Sequence, residues 1–175
     1  MTARTGATTT IPPTTAAPDA ARLYQEGIVA GIIGAATVAI WFLVVDLANG
    51  RPFFTPTVLG TAVFGRGAGL ASLETLAPSL EMVLMFTWVH GMVFAAIGGV
   101  AARLLRTAER NPNVGFGILL LFVVFEAGFT VAAMVLAEPV LHALTWPAVL
   151  VANLLAAAAM AVYFRLRHPA LRVSP

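Results

Sequence analysis

The 175-residue chain contains no cysteine and no lysine, and only 10% of its residues are charged. Without cysteine it cannot form a disulfide, a thiolate zinc site or a cysteine-held iron–sulfur cluster. All ten basic residues are arginines, and they lie almost wholly outside the apolar runs. This distribution is typical of the charges that orient membrane helices, and it argues against a nucleic-acid partner.

Signatures of catalysis are also missing from the sequence. It has no G-x-S-x-G elbow, no H-E-x-x-H pair, no Walker loop and no glycine fingerprint for dinucleotides. A haem held by two histidines would need a second histidine at the depth of His90, and neither His142 nor His168 lies at that depth. We therefore expect neither enzymatic activity nor a cofactor.

The residues that are present are mostly apolar, with 59% hydrophobic content and a mean hydropathy of +0.90. They form four long runs, at residues 27–45, 82–102, 114–137 and 145–164. At roughly 1.5 Å per helical residue, runs of this length span or nearly span a hydrocarbon core of about 30 Å. The pattern predicts an all-α fold, a bundle of four transmembrane helices embedded in a lipid bilayer.

Arginines orient this predicted bundle. Three lie in the short link between the second and third runs, and three more follow the fourth run: Arg103, Arg106, Arg110, Arg165, Arg167 and Arg172. Because cytoplasmic segments are enriched in basic residues, we expect both termini in the cytoplasm and a multi-pass protein of the cell inner membrane.

The ends of the chain are predicted to be tails. Residues 1–21 are rich in Thr, Ala and Pro, and Pro12, Pro13 and Pro18 should break any helix, so we expect a disordered cytoplasmic tail. Residues 22–168 then form a single four-helix membrane domain, and residues 169–175 form a short cytoplasmic tail.

The segment 48–80 is the longest predicted loop and should face outward. Residues 57–64 are apolar and Pro56 is placed to start a short helix, while Phe53 and Phe54 beside Arg51 resemble an interfacial anchor. The segment could act as a lid over an outward cavity, or it could be an interfacial helix that only covers the bundle. The second interpretation is the more common outcome for such segments.

Small residues at helical spacing predict close packing between helices. Gly27 and Gly31 form one pair, and Gly91, Ala95 and Gly99 form a longer stripe. Such stripes let backbones approach closely, either inside one bundle or between two copies of a chain. The sequence does not distinguish these two uses.

Polar residues within the runs share one depth. His90 lies 13 residues before Arg103, Glu126 lies 12 after Val114, and Asn153 lies 12 before Arg165. These spacings place all three side chains roughly 18 to 20 Å from the cytoplasmic boundary. Thr87 and Thr130, one turn away, could extend the cluster. The cluster could bind the helices together through hydrogen bonds, or His90 and Glu126 could exchange protons.

A second polar group is predicted at the outer face. It comprises Asp46, Glu81, Glu138 and His142. Carboxylates and imidazoles can bind metals, but Pro139 between Glu138 and His142 argues against a shared helical face for these two residues. We expect these side chains to be solvated, with Asp46 pairing with Arg51, and we predict no metal site.

The chain resembles small, functionally uncharacterised four-helix membrane proteins of bacteria at Trp41-Phe42-Leu43, at Asp46-Leu47, and at Gly50-Arg51-Pro52-Phe53 followed by Thr55-Pro56. The resemblance covers roughly the first half of the chain. It implies a bacterial inner-membrane location and carries no activity, substrate or cofactor.

Two functional hypotheses follow. The first, which the sequence slightly favours, is a non-catalytic membrane protein that associates with itself or serves as an accessory subunit of a larger membrane complex. The second is a small transporter or proton-coupled channel that uses His90 and Glu126.

Overall fold

The computed structural model describes residues 16–65, 76–111 and 146–168. These residues form four α-helices and no strand: α1 (Ala16–Ala48), α2 (Phe54–Phe64), α3 (Leu80–Arg110) and α4 (Trp146–Arg167). The all-α expectation is confirmed for this part of the chain. The predicted run at 114–137 lies outside the described residues.

Three of these helices are long and apolar enough to cross a membrane, over Ala21–Ala48, Leu80–Glu109 and Pro147–Arg167. The shortest of the three spans has 21 residues, which at 1.5 Å per residue is roughly 32 Å long. Helix α2 has 11 residues and is too short to cross. Three of the four predicted runs thus lie in helices of the expected kind, and the short helix predicted near Pro56 is confirmed.

The prediction of a disordered tail over residues 1–21 is wrong at its end, because α1 already begins at Ala16. Pro18 lies within the first helical turn and does not break the helix. In the first turn a backbone N–H has no intrahelical partner, so proline removes no hydrogen bond there. Residues 1–15 and 169–175 lie outside the described residues.

Helix α1 is the centre of the bundle and packs against both α3 and α4. Two apolar clusters form the core around it: Val38, Phe42, Ala152 and Ala156 in one, and Ala30, Ala102, Met160 and Phe164 in the other. The Trp41 indole N–H donates to the Ala148 carbonyl at 3.0 Å, which fixes α4 against α1. Small side chains on α4 meet larger ones on α1 in the first cluster, and in the second cluster large side chains on α4 meet alanines on α1 and α3.

Glycines allow α1 and α3 to approach closely. A side chain built on Gly31 would overlap the Phe94 backbone, and one on Gly98 would overlap the Gly27 carbonyl oxygen. The predicted contact at Gly27 and Gly31 is confirmed. On α3, Ala95 and Gly99 lie at this contact, whereas a methyl group on Gly91 would meet nothing within 4 Å among the described residues.

Candidate functional site

The Asp46 carboxylate connects the end of α1 to the start of α2. Its side chain is only 3% exposed. One oxygen, Oδ2, accepts the Thr55 backbone N–H at 2.8 Å, and Oδ1 accepts the Thr55 hydroxyl at 2.7 Å. A carboxylate in this position satisfies a free N–H of the first helical turn and complements the helix dipole. The expectation of a solvated Asp46 is therefore wrong, because this carboxylate is a buried cap of α2.

The turn between α1 and α2 has an unusual backbone. Gly50 has φ 68°, and Phe53 has φ 62° and ψ 17°, a left-handed conformation that is uncommon for a phenylalanine. The Arg51 guanidinium lies 3.6 Å from the centroid of the Phe54 ring, which is a cation–π contact. Of the two phenylalanines predicted as an anchor, Phe53 is about half exposed and Phe54 is partly buried.

Helix α2 is packed against the start of α3. Its Thr57 and Val58 are almost fully buried, and Gly60 lies so close to the Met82 backbone that a side chain would clash. The Ser79 backbone N–H donates to the Thr57 hydroxyl at 3.3 Å. These contacts support the interpretation of α2 as a helix that covers one end of the bundle.

His90 lies in the middle of α3 and faces α1. Its Nε2 is 3.4 Å from the Ala35 carbonyl oxygen, a distance that fits a weak hydrogen bond when Nε2 carries the proton. The ring lies between Phe86 and Phe94, with centroid distances of 5.6 and 4.6 Å. His90 is thus packed among aromatic rings and bonded to the backbone of a neighbouring helix.

The other members of the predicted central cluster are only partly described. Asn153 is half-buried in α4, whereas Thr87 is exposed on α3. Glu126 and Thr130 lie outside the described residues, so the His90–Glu126 pair stays a prediction.

The remaining outer-face residues do not form a site in the described chain. Glu81 is exposed in the first turn of α3, and Glu138 and His142 lie outside the described residues. Within residues 16–65, 76–111 and 146–168, no group of three or more acidic or histidine side chains is placed to hold a metal ion.

A polar cluster that the sequence reasoning missed lies at the opposite end of the bundle from Asp46. His168 follows the last residue of α4, and its Nε2 is 3.1 Å from Glu26 Oε2 on α1. Its Nδ1 is 3.0 Å from Glu109 Oε1 on α3. One imidazole therefore contacts carboxylates on two other helices. The three side chains are about one-quarter to one-third exposed, so each ion pair contributes on the order of 1 kcal/mol or less.

The same end of the bundle contains a cavity of about 210 Å³. Charged side chains of α1 and α3 line it together with His168 and apolar residues: Arg22, Leu23, Glu26, Ala102, Leu105, Arg106, Glu109, Phe164 and His168. The Arg103 guanidinium also donates to the Tyr24 hydroxyl at 3.4 Å. The start of α1 thus meets the ends of α3 and α4, and these segments bring their arginines together.

A simple signal for this cluster was present in the sequence. Glu26 precedes the first apolar run, Glu109 follows the second, and His168 follows the fourth. The depth comparison that we applied to His90 would place all three at one boundary of the membrane.

The fold and sites define a class: an all-helical protein with three described helices suited to cross a membrane, and with polar clusters at both ends of the bundle. Comparison with protein-family models, with curated proteins and with solved structures finds no match to this chain.

Proposed function

We propose that the protein is a non-catalytic, multi-pass integral membrane protein that functions as a subunit of a membrane assembly, formed with further copies of itself or within a larger complex. The observation that carries this proposal is an exposed apolar surface on α3, which we call the α3 face. It consists of four residues at successive i, i+4 positions: Leu80, Leu84, Trp88 and Met92. Residues at this spacing lie on one side of a helix.

Trp88 is the most informative residue of the α3 face. It is 72% exposed and lies eight residues, or roughly 12 Å, from the start of α3. Tryptophans that anchor a helix in lipid are enriched at the headgroup level, near helix ends. A tryptophan farther inside the span, beside Met92, is the composition that favours a protein partner.

Self-association is the form of the proposal that we would test first. Because the chain has no cysteine, Leu84→Cys introduces a single reactive thiol on the α3 face. Ile40→Cys is the matched control, since Ile40 is 62% exposed on α1 and Leu84 is 61% exposed. We expect oxidation in native membranes to give disulfide dimers of Leu84→Cys and not of Ile40→Cys, and Trp88→Ala should reduce the dimer yield. Equal yields from the two positions, or monomers alone in native mass spectrometry, would contradict self-association through the α3 face.

The alternative, a proton-coupled transporter, depends on His90 and Glu126. The contact of His90 with the Ala35 carbonyl supports a packing role for this histidine. Liposomes that contain the protein are expected to take up protons no faster than empty liposomes. A proton flux that Glu126→Gln abolishes would replace the subunit proposal with the transporter.

A location in the bacterial inner membrane, with both termini in the cytoplasm, belongs to the same proposal. It is supported by the arginines gathered at one end of the bundle, because basic residues are retained on the cytoplasmic side.

A further inference from the structure

The contacts of His168 depend on its protons. Both ring nitrogens lie within hydrogen-bond distance of carboxylate oxygens, at 3.1 Å from Glu26 and 3.0 Å from Glu109. A carboxylate only accepts, and an imidazole donates from both nitrogens only in its doubly protonated, positively charged form. Between two ionised carboxylates this geometry suits an imidazolium, which connects α4 to α1 and to α3 at the same time.

A neutral ring cannot maintain both contacts. It carries one N–H, so its other nitrogen would direct a lone pair at a carboxylate oxygen, and attraction there would become repulsion. We propose that His168, Glu26 and Glu109 form a protonation-controlled latch, the His168 latch. The charged ring holds the ends of α1, α3 and α4 together, and the neutral ring releases one of the two carboxylate-bearing helices.

The other charged groups around the latch keep their charge while His168 changes. Arg22 on α1 and Arg106 on α3 line the same cavity, and Arg167 on α4 lies 5.9 Å from the Tyr163 ring. Arginine remains protonated throughout the physiological range, and histidine is the side-chain type that changes charge between about pH 5 and pH 8. A histidine side chain is in general charged in acid and neutral in alkali. The latch is therefore closed in acid and opens toward alkaline pH.

Opening the latch changes the cavity that it borders. All three latch residues line the cavity of about 210 Å³, beside apolar Leu105 and Phe164. The latch side chains are partly exposed, with 27% for His168, so protons can exchange with the solvent. Separation of the helix ends would widen this cavity on the side where the arginines lie.

Spin-label distances in the full-length protein test the latch. Because the chain has no cysteine, spin labels attach only at introduced cysteines, and we place these at exposed positions. Gln25→Cys with Leu166→Cys reports the α1–α4 distance, and Thr107→Cys with Leu166→Cys reports the α3–α4 distance. Each pair is measured in phosphatidylcholine nanodiscs at about pH 5 and about pH 8.5, on either side of the range in which histidines titrate. We expect at least one pair to change from a single short distance at low pH to a longer or broader distribution at high pH.

Variants separate the latch from a general effect of pH. His168→Gln should remove the pH response of both pairs, whereas His90→Gln, which changes a histidine in the middle of α3, should retain it. Glu26→Gln should reduce the response of the α1–α4 pair, and Glu109→Gln that of the α3–α4 pair. If His168→Gln does not fold, the distances in these two glutamate variants test the latch in its place. Distances that are identical at both pH values, or a response that persists in His168→Gln or in both glutamate variants, would overturn the proposal.

Discussion

Asp46 shows how a single buried carboxylate can organise the junction of two helices. Its two oxygens accept two hydrogen bonds from Thr55, one from the backbone and one from the hydroxyl. At 3% exposure water cannot replace these bonds when one partner is removed. The stability of the α1–α2 junction should therefore depend on this carboxylate.

We expect Asp46→Ala to lower the free energy of unfolding by about 2 kcal/mol, because a helix cap and a buried hydrogen bond are lost together. Thr55→Val removes only the hydroxyl and should cost about 1 kcal/mol. Reversible unfolding in mixed detergent micelles measures both values. Asn49→Ala is the control: this exposed residue, three positions along, makes a local bond to the Val45 carbonyl, and its loss should cost less than about 0.5 kcal/mol. Equal stabilities for Asp46→Ala and Asn49→Ala would show that the cap has no energetic role.

The sequence located Asp46 at a helix end and predicted Arg51 as its partner, but it did not reveal the bonds with Thr55. The carboxylate meets Thr55 only because the intervening turn contains left-handed residues at Gly50 and Phe53. A glycine at such a position is an ordinary signal, whereas a phenylalanine is not. Thr55 could therefore not be identified as the capped residue, because the left-handed conformation of Phe53 is not predicted by its residue type.

Between elements, the contact of α1 with α3 depends on the absence of side chains. At Gly98 and Gly31 the opposing backbone occupies the volume that a methyl group would need. Gly91 lies on the same helix as Gly98, but a methyl group there would meet nothing within 4 Å in residues 16–65, 76–111 and 146–168. Gly98 and Gly91 thus provide a matched pair for the same substitution.

Gly98→Ala is expected to destabilise the protein by about 1 to 3 kcal/mol, since the helices must separate to admit the methyl group. Gly91→Ala should leave stability unchanged or raise it by up to about 1 kcal/mol, because alanine is the better helix former. Unfolding in mixed micelles compares the two variants directly. If the two variants have the same free energy of unfolding, the helices can repack at this contact and the prediction fails.

Sequence spacing predicted this contact on α1 but only in part on α3. The stripe Gly91, Ala95 and Gly99 includes two residues of the contact but omits Gly98, where a side chain would overlap the Gly27 carbonyl oxygen. The spacing gives the positions that can face a neighbour, but the rotation of α3 about its axis decides which of them does. Neighbouring side chains fix that rotation, including the Phe94 ring that packs near Gly34.

For the whole molecule, the number and length of the described spans followed from hydropathy, but the arrangement of the helices did not. The short link after α3 predicts that His90 lies next to Glu126, which is outside the described residues, but it gave no reason to expect the contact of His90 with the α1 backbone at Ala35. Apolar faces are nearly interchangeable as neighbours in lipid, because association depends on local packing and hydrogen bonds. The central place of α1 therefore results from its glycines and from Trp41, which hold α3 and α4 on either side.

The orientation of the molecule can be tested with reporter fusions. Because arginines gather where α1 begins and where α3 and α4 end, we expect this end in the cytoplasm. Green fluorescent protein fused after Pro175 should fluoresce, and alkaline phosphatase at that position should be inactive. Phosphatase inserted after Gly50, in the turn at the other end of the bundle, should be active, since it folds only outside the cytoplasm. The reverse pattern would place the arginines outside and contradict the orientation. The His168 latch lies at the arginine end, so the expected pattern would expose it to cytoplasmic pH, and the reverse pattern would expose it to the pH outside the cell membrane.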